Sequence, residues 1–118
     1  MYININSYSD SIETIEIRDG LKRYHGKDDI SKNNTEFYNL IDKVVERQII
    51  DEIGFATQLL VKFGNMRFKK MEEENNPWKK KNFPNIILPY YRRALEIGSK
   101  IFDFTDLKKR IVELESLL

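Results

Sequence analysis

Four carboxylates follow one another at short helical spacing in the middle of the chain: Asp42, Glu46, Asp51 and Glu52. Carboxylates that converge from two elements can hold Mg²⁺ for phosphate chemistry, as in small helical hydrolases of nucleotides. The later helical stretch adds only Glu96 and Asp103, and both fall on its charged face. The pattern predicts a solvated helix surface with no catalytic residue, no metal and no cofactor. A metal-dependent nucleotide hydrolase is the enzyme class to which the sequence comes nearest.

Glu52 differs from its neighbours in its place on the helical wheel. In an uninterrupted helix it falls inside the apolar stripe, close to Ile49 and Ile53. A buried carboxylate has to be paired or neutralised. Two interpretations stay open: Glu52 is a polar anchor for a partner or ligand, or Gly54 changes the helical phase and Glu52 faces water.

Other common catalytic chemistries lack their residues. The chain has one His and no Cys, which excludes disulfides and the usual zinc ligand sets. His25 stands beside Gly26 in a polar stretch without a neighbouring nucleophile, so we expect it to be exposed rather than catalytic. No glycine-rich phosphate loop is present.

Basic and aromatic residues cluster in the second half of the chain. Eleven of the 20 Lys and Arg residues fall in four groups, which are 67–70, 78–81, 90–93 and 108–110. Cations bind phosphates, and adjacent aromatic side chains stack on exposed bases, so this pattern is compatible with nucleic-acid binding. Against it, the acidic run 72–74 lies beside these groups, and charge runs on helices are usually solvated faces.

Trp78 is the only Trp and lies in the most polar segment of the chain. It is either an exposed binding anchor or a lid folded over the neighbouring helices. The residues predicted to bind a partner are Trp78, Lys79, Lys80, Lys81, Arg92, Arg93, Glu52 and Leu117.

Composition indicates one soluble globular domain spanning residues 1–118. Leu, Ile, Val and Phe make up 36 of the 118 residues, enough for one core. The net charge of +1 provides no global field that attracts polyanions or acidic membranes. Ile and Asn are abundant and Ala is rare, a bias typical of AT-rich genomes, including those of phages and plasmids.

The first 20 residues resemble a β-hairpin in their pattern. Residues 2–6 alternate apolar and polar side chains, and residues 11–17 are rich in Ile and Thr. Turn-forming residues lie between these runs, and Gly20 follows the second. The predicted fold is therefore mainly α, with an N-terminal β-hairpin packed on a bundle of three to four helices.

Helical periodicity governs the remaining chain. It predicts a long helix over 35–70, capped by Thr35 and kinked or broken at Gly54, or failing that at Gly64. A polar connector follows over 71–83, then a helix over 84–103 and a last helix over 105–118 capped by Thr105.

The last helix carries a narrow apolar stripe at spacings of four, three and four: Leu107, Ile111, Leu114 and Leu118. The stripe is too short for an independent coiled coil, so we expect it to pack within the chain. A dimer through this helix is the alternative, with Leu117 off the stripe as an exposed apolar contact.

Taken together, these features favour a small non-enzymatic protein that regulates or inhibits another protein by binding it, with a phage or plasmid origin fitting the composition. The alternative is a small helical nucleic-acid-binding protein that uses the basic and aromatic groups. No secretory signal is present and apolar runs reach only three residues, as in Leu59-Leu60-Val61. We therefore expect a cytoplasmic protein that does not enter the membrane.

Overall fold

The structure is a computed structural model that describes residues 5–27 and 34–118, with side chains described for 12–27 and 35–118. Six helices occupy these residues: α1 (Ile5–His25), α2 (Asn34–Arg47), α3 (Ile50–Glu73), α4 (Pro77–Lys80), α5 (Phe83–Gly98) and α6 (Thr105–Glu115). The part of the chain that the structure describes contains no β-strand. Helix α3 is the central element, with α1 and α2 against it on one side and α5 along its length.

The predicted N-terminal β-hairpin is wrong, because residues 5–20 belong to α1; residues 1–4 lie outside the described residues. Ile17, Leu21 and Tyr24 recur at spacings of four and three and are all buried. Gly20 brings α1 close to α2, since a Cβ there would lie 3.1 Å from Leu40 Cδ2. Local β propensity of Ile and Thr is weak, and burial against α2 and α3 outweighs it.

The long predicted helix is broken, but not at a glycine. Helix α2 ends at Arg47, Gln48 takes a left-handed φ of 54°, and Ile49 is extended before α3 begins. The left-handed position after a helix is usually glycine or asparagine. Helix α3 continues through Gly54 and Gly64 to Glu73, beyond the predicted end at residue 70.

The second half departs from the predicted boundaries in several places, including the end of α6 at Glu115 rather than 118. The predicted connector contains the short helix α4, whose first backbone N–H, that of Trp78, donates to Asn76 Oδ1 at 2.9 Å. Helix α5 ends at Gly98 rather than 103, where the helix lies against Thr57 of α3. The side chain that caps α6 is Asp103, whose Oδ1 accepts from the Thr105 backbone N–H at 3.0 Å.

The core is aromatic where α1, α2, α3 and α5 meet. The rings of Tyr24 and Phe63 both meet Phe37 edge-on, with centroid distances of 5.0 and 5.3 Å. Tyr38 stacks on Tyr90 of α5 at 5.9 Å. Edge-on and stacked pairs of this kind stabilise a core beyond the area that they bury. These rings fix α3 in the middle of the fold.

Candidate functional site

Helix α3 has two faces of unlike character. Its buried residues occupy one arc of the helix: Glu52, Ala56, Thr57, Leu59, Leu60, Phe63, Gly64 and Met71. The opposite arc, about 160° wide at 100° per residue, lines surface depressions along nearly the whole helix. Its members are Ile50, Asp51, Gly54, Phe55, Gln58, Val61, Lys62, Asn65, Met66 and Lys69. We call this arc the open face.

Three depressions run along the open face and share walls. One of about 290 Å³ lies between α1 and the start of α3, and one of about 260 Å³ adjoins it at Asp51 and Phe55. The second meets the largest, of about 670 Å³, at Gln58 and Phe102. From Asp51 to Lys69 the rise of the helix gives this channel a length of about 27 Å.

The largest depression, which we call the groove, is apolar at its floor and walls. Val61 and Met66 of α3 line it together with Phe104 and Leu107, and Phe102 lines both the groove and the adjoining depression. Val61, Met66, Phe102 and Phe104 are each only partly buried. A concave surface that leaves several large apolar side chains partly exposed is typical of a binding site.

A polar cluster supports the α3 edge of the groove. Asn65 Oδ1 accepts hydrogen bonds from Tyr91 Oη at 2.6 Å and from Arg110 Nη1 at 2.8 Å. The Arg110 guanidinium lies 4.3 Å from the centre of the Phe68 ring. Burial raises the pKa of Tyr91, and the hydrogen bond from Arg110 opposes that rise. The cluster joins α3, α5 and α6 and holds the Asn65 side chain in one orientation.

The far wall of the groove carries one charge. Asp103 Oδ1 accepts from the backbone N–H of Thr105 at 3.0 Å and from its hydroxyl at 2.7 Å. These two hydrogen bonds lower the pKa of Asp103, and Lys108 adds a smaller effect of the same sign. The carboxylate is therefore charged at neutral pH and is already engaged in capping α6.

Glu52 is buried, so the interpretation in which Gly54 turns it to water is wrong. Its Oε1 accepts from Arg47 Nε at 2.9 Å, and Arg18 Nε lies 4.0 Å from its Oε2. Arg47 also donates to Glu13 at 3.3 Å and to Thr14 Oγ1. Glu52 is thus held within the chain by an arginine from the end of α2, as a buried carboxylate requires. This pairing makes it a joint between helices rather than a free anchor for a partner.

The predicted basic groups divide into paired and unpaired cations. Arg92 lies 3.4 Å from Glu115 of α6, and Arg93 donates to Asp42 and Glu96, each at 2.7 Å. Both arginines therefore brace α5 against its neighbours. They do not stand out as free phosphate ligands.

Trp78 and the three lysines after it remain as an exposed group, which we call the basic tip. Trp78 is 79% exposed, so it is not a lid over the helix pair. Lys79, Lys80 and Lys81 are also exposed, and none forms an ion pair with another residue that the structure describes. Arg92 lies nine residues after Phe83, the first residue of α5, and is therefore about 14 Å along that helix from its start.

The remaining candidates have simple environments. The His25 side chain is exposed, with its ring 5.6 Å from that of Phe55, and its backbone carbonyl accepts a hydrogen bond from Lys62 Nζ. Asp42, first of the four carboxylates, is paired with Arg93. Among residues 12–27 and 35–118, no three His, Cys, Asp or Glu side chains are placed to hold a metal ion together.

The C-terminal stripe is largely used inside the chain. Leu107, Ile111 and Leu114 are buried, whereas Leu118 is 66% exposed. Leu117 is 57% exposed, and Val112 of the opposite side of α6 is 67% exposed. A dimer through this helix stays a prediction, and it would have to use the outer residues.

The groove residues were missed by sequence reasoning. Val61 and Met66 lie off the main apolar stripe of α3, and these additional apolar positions were the available signal. A helix with apolar side chains on two arcs is either buried on all sides within its own chain or covered on one side by a binding partner.

Comparison with known proteins gives no match: no family model, no curated protein and no solved structure is similar to this chain. Across residues 5–27 and 34–118, no helix is both long enough and apolar enough to cross a membrane.

Proposed function

We propose that this chain is a non-enzymatic protein that binds another protein through the open face of α3 and so regulates or inhibits it. The observation that carries the proposal is the groove, where five apolar side chains line one depression of about 670 Å³. Its lining is Val61, Met66, Phe102, Phe104 and Leu107 on the apolar side, with Lys62, Lys69 and Asp103 at the rim.

The shape of the site selects the kind of partner segment. The open face extends along α3 between α1 and the start of α6. In a helix bundle, a further helix would occupy this position. An amphipathic helix docks in such a groove with apolar residues at i, i+3, i+4 and i+7. A channel of about 27 Å accommodates a helix of about 18 residues. The proposed partner therefore presents one amphipathic helix.

The test uses a designed helical peptide of about 18 residues with a Leu stripe and Gln on both flanks. We expect saturable binding by fluorescence anisotropy, with a Kd in the micromolar range. Replacement of Val61 and Met66 together by Glu should weaken binding by at least about tenfold, because each charge enters the apolar floor.

Two controls make this result specific. The variant Val112→Glu introduces one such charge at an exposed apolar site outside the groove and should leave binding unchanged. A peptide with the stripe Leu residues changed to Ser should not bind. Equal affinity of the wild type and the double Glu variant would place peptide binding elsewhere and contradict the proposal.

The basic tip supports a second candidate function, binding of single-stranded nucleic acid. One exposed Trp beside three unpaired lysines combines a stacking surface with cations for phosphates. Binding of a labelled single-stranded oligonucleotide should fall with salt, with a log–log slope of about −0.7 per phosphate contacted. Changing Lys79, Lys80 and Lys81 to Ala should abolish it, and Trp78→Ala should cost about 1–3 kcal/mol. A control variant with Lys43, Lys100 and Lys108 changed to Ala should bind the oligonucleotide as the wild type does. If both triple variants lose the same affinity, the effect comes from the net charge of the protein and not from the basic tip.

A further inference from the structure

The α3 edge of the groove offers hydrogen-bond donors in an unbroken row. Lys62, Asn65 and Lys69 lie at positions i, i+3 and i+7, so their side chains succeed one another along one side of the helix. All three line the groove. What this row presents to a bound helix depends on the orientation of the Asn65 amide.

The orientation of Asn65 follows from its partners. A guanidinium has donors and no acceptor, so the atom that faces Arg110 Nη1 at 2.8 Å must be the amide oxygen. Tyr91 Oη accepts from Arg110 at 3.2 Å and donates to the same Asn65 oxygen at 2.6 Å. Because Oδ1 accepts from these two donors, the two hydrogens of Nδ2 are the part of the Asn65 amide that remains for a ligand in the groove, which Asn65 lines. Asn65 Nδ2 forms no hydrogen bond with any side chain that the structure describes.

The flanking lysines extend the same chemistry. Lys69 is exposed, and its ammonium has only donors. Lys62 Nζ donates one hydrogen to the His25 carbonyl at the end of α1, which leaves two for a ligand. Across the groove, Asp103 Oδ1 accepts twice from Thr105, and its carboxylate is the one negative charge among the residues that line the groove. The α3 edge is therefore a donor row with a charge of +2.

We propose that this donor row selects the partner: the helix that docks in the groove carries carboxylates along one edge of its apolar stripe, spaced so that they meet Lys62, Asn65 and Lys69. This inference rests on the proposed function and narrows it from an amphipathic helix to an acidic-edged one. The apolar floor provides affinity, and the donor row provides discrimination among helices, since charged groups at a rim govern specificity more than strength.

An almost isosteric substitution at Asn65 tests this proposal. The substitution Asn65→Asp keeps an oxygen that accepts from Tyr91 and Arg110, and it replaces the amide nitrogen by a second oxygen. Internal hydrogen bonds are retained while the group that remains for a ligand changes from donor to acceptor. The substitution Asn39→Asp makes the same chemical change at an exposed position of α2 that does not line the groove.

The experiment compares three peptides with the same Leu stripe and with Glu, Gln or Lys along one edge. We expect the wild-type protein to bind the Glu-edged peptide about tenfold more tightly than the Gln-edged one, and the Lys-edged peptide least. Asn65→Asp should bring the ratio of Glu-edged to Gln-edged affinity close to one, and Asn39→Asp should leave the ratio as in the wild type. Lys69→Gln, at an exposed site with no part in the core, should also lower the ratio.

Each failure has its own meaning. If the wild type binds all three peptides equally, or if Asn65→Asp and Lys69→Gln both keep the wild-type ratio, the donor row does not select the partner and the proposed groove function stands. If none of the stripe peptides binds, the groove function and the donor row are both overturned. Thermal unfolding of Asn65→Asp at the wild-type temperature would show that the change acts on the ligand rather than on the fold.

Discussion

The two faces of α3 both carry large apolar side chains, but other helices of the chain pack closely on only one of them. On the covered face, α5 comes so close that a Cβ at Gly64 would lie 2.5 Å from Tyr91 Cε1. On the open face, a Cβ at Gly54 would meet only Phe102 Cζ, at 3.8 Å. Both faces carry large apolar side chains, yet only one is filled by the chain itself. Apolar content therefore does not distinguish a core from a binding site; the fit of the neighbouring element does.

The largest expected difference concerns two consecutive residues, Leu60 on the covered face and Val61 on the open face. Leu60 is fully buried, so Leu60→Ala should lower the free energy of unfolding by about 2–5 kcal/mol through lost burial and a cavity. Val61→Ala at the half-covered position should change it by less than about 1 kcal/mol. Urea denaturation followed by circular dichroism measures both. Similar losses for the two variants would mean that the open face is part of the core.

The glycine pair should show effects of opposite sign. Gly64→Ala should destabilise the protein by about 1–3 kcal/mol, because Tyr91 is held by Asn65 and Arg110 and cannot move aside. Gly54→Ala has room for its methyl group and should stabilise the protein by up to about 1 kcal/mol through helix propensity. Melting temperatures of the two variants test this pair. Stabilisation by both would show that α3 and α5 are not closely packed at Gly64.

Alkaline pH should weaken the aromatic core, because the phenols with raised pKa values lie in it or pack against it. Burial raises the pKa of Tyr38 and of Tyr91 above the usual 10.0. The folded state keeps these protons while the unfolded chain loses them near pH 10. Stability is therefore unaffected below that pH and falls above it, by up to about 1.4 kcal/mol per pH unit for each tyrosine.

Urea midpoints measured between about pH 8 and 11 give this slope, and the variant Tyr38→Phe provides the control. Without its phenol the slope should become shallower, while the stability near neutral pH changes little. A slope that Tyr38→Phe leaves as steep as in the wild type would show that the Tyr38 phenol does not cause the loss of stability.

The second half of the fold could be read from the sequence because its signals are local. Pro84 lies in the first turn of α5, and the stripe from Leu107 to Leu114 is buried as its spacing predicts. In the first half, the helical pattern over 35–70 predicted α2 and α3, but α1 could not be predicted because its Ile-rich run has local features of a strand. Only its burial against α2 and α3 decides the matter, and a single segment does not display its tertiary neighbours.

The break after α2 and the groove were unpredictable for related reasons. Gln48 adopts a left-handed conformation without being Gly, Asn or Asp, so no residue type announces the turn. The groove arises where none of the helices that the structure describes covers α3, and the sequence shows that Val61 and Met66 are apolar positions off the main stripe but not which element leaves them uncovered. Glu52 is the intermediate case: its place in the apolar stripe was visible, but its partner Arg47 became visible only with the turn that brings the two together.

The contacts of Arg47 with Glu13, Thr14 and Glu52 also determine which helices can unfold locally as one unit. One guanidinium at the end of α2 contacts Glu13 and Thr14 of α1 and Glu52 of α3, and at its other end α1 is held by the bond from Lys62 to the His25 carbonyl. If α1 lifts away, the Arg47 guanidinium loses its contacts to that helix while its charge and that of Glu52 stay together. In native-state hydrogen exchange, the backbone amides of α1 can thus form a separate cooperative unit, less protected than the amides of α3 and α5.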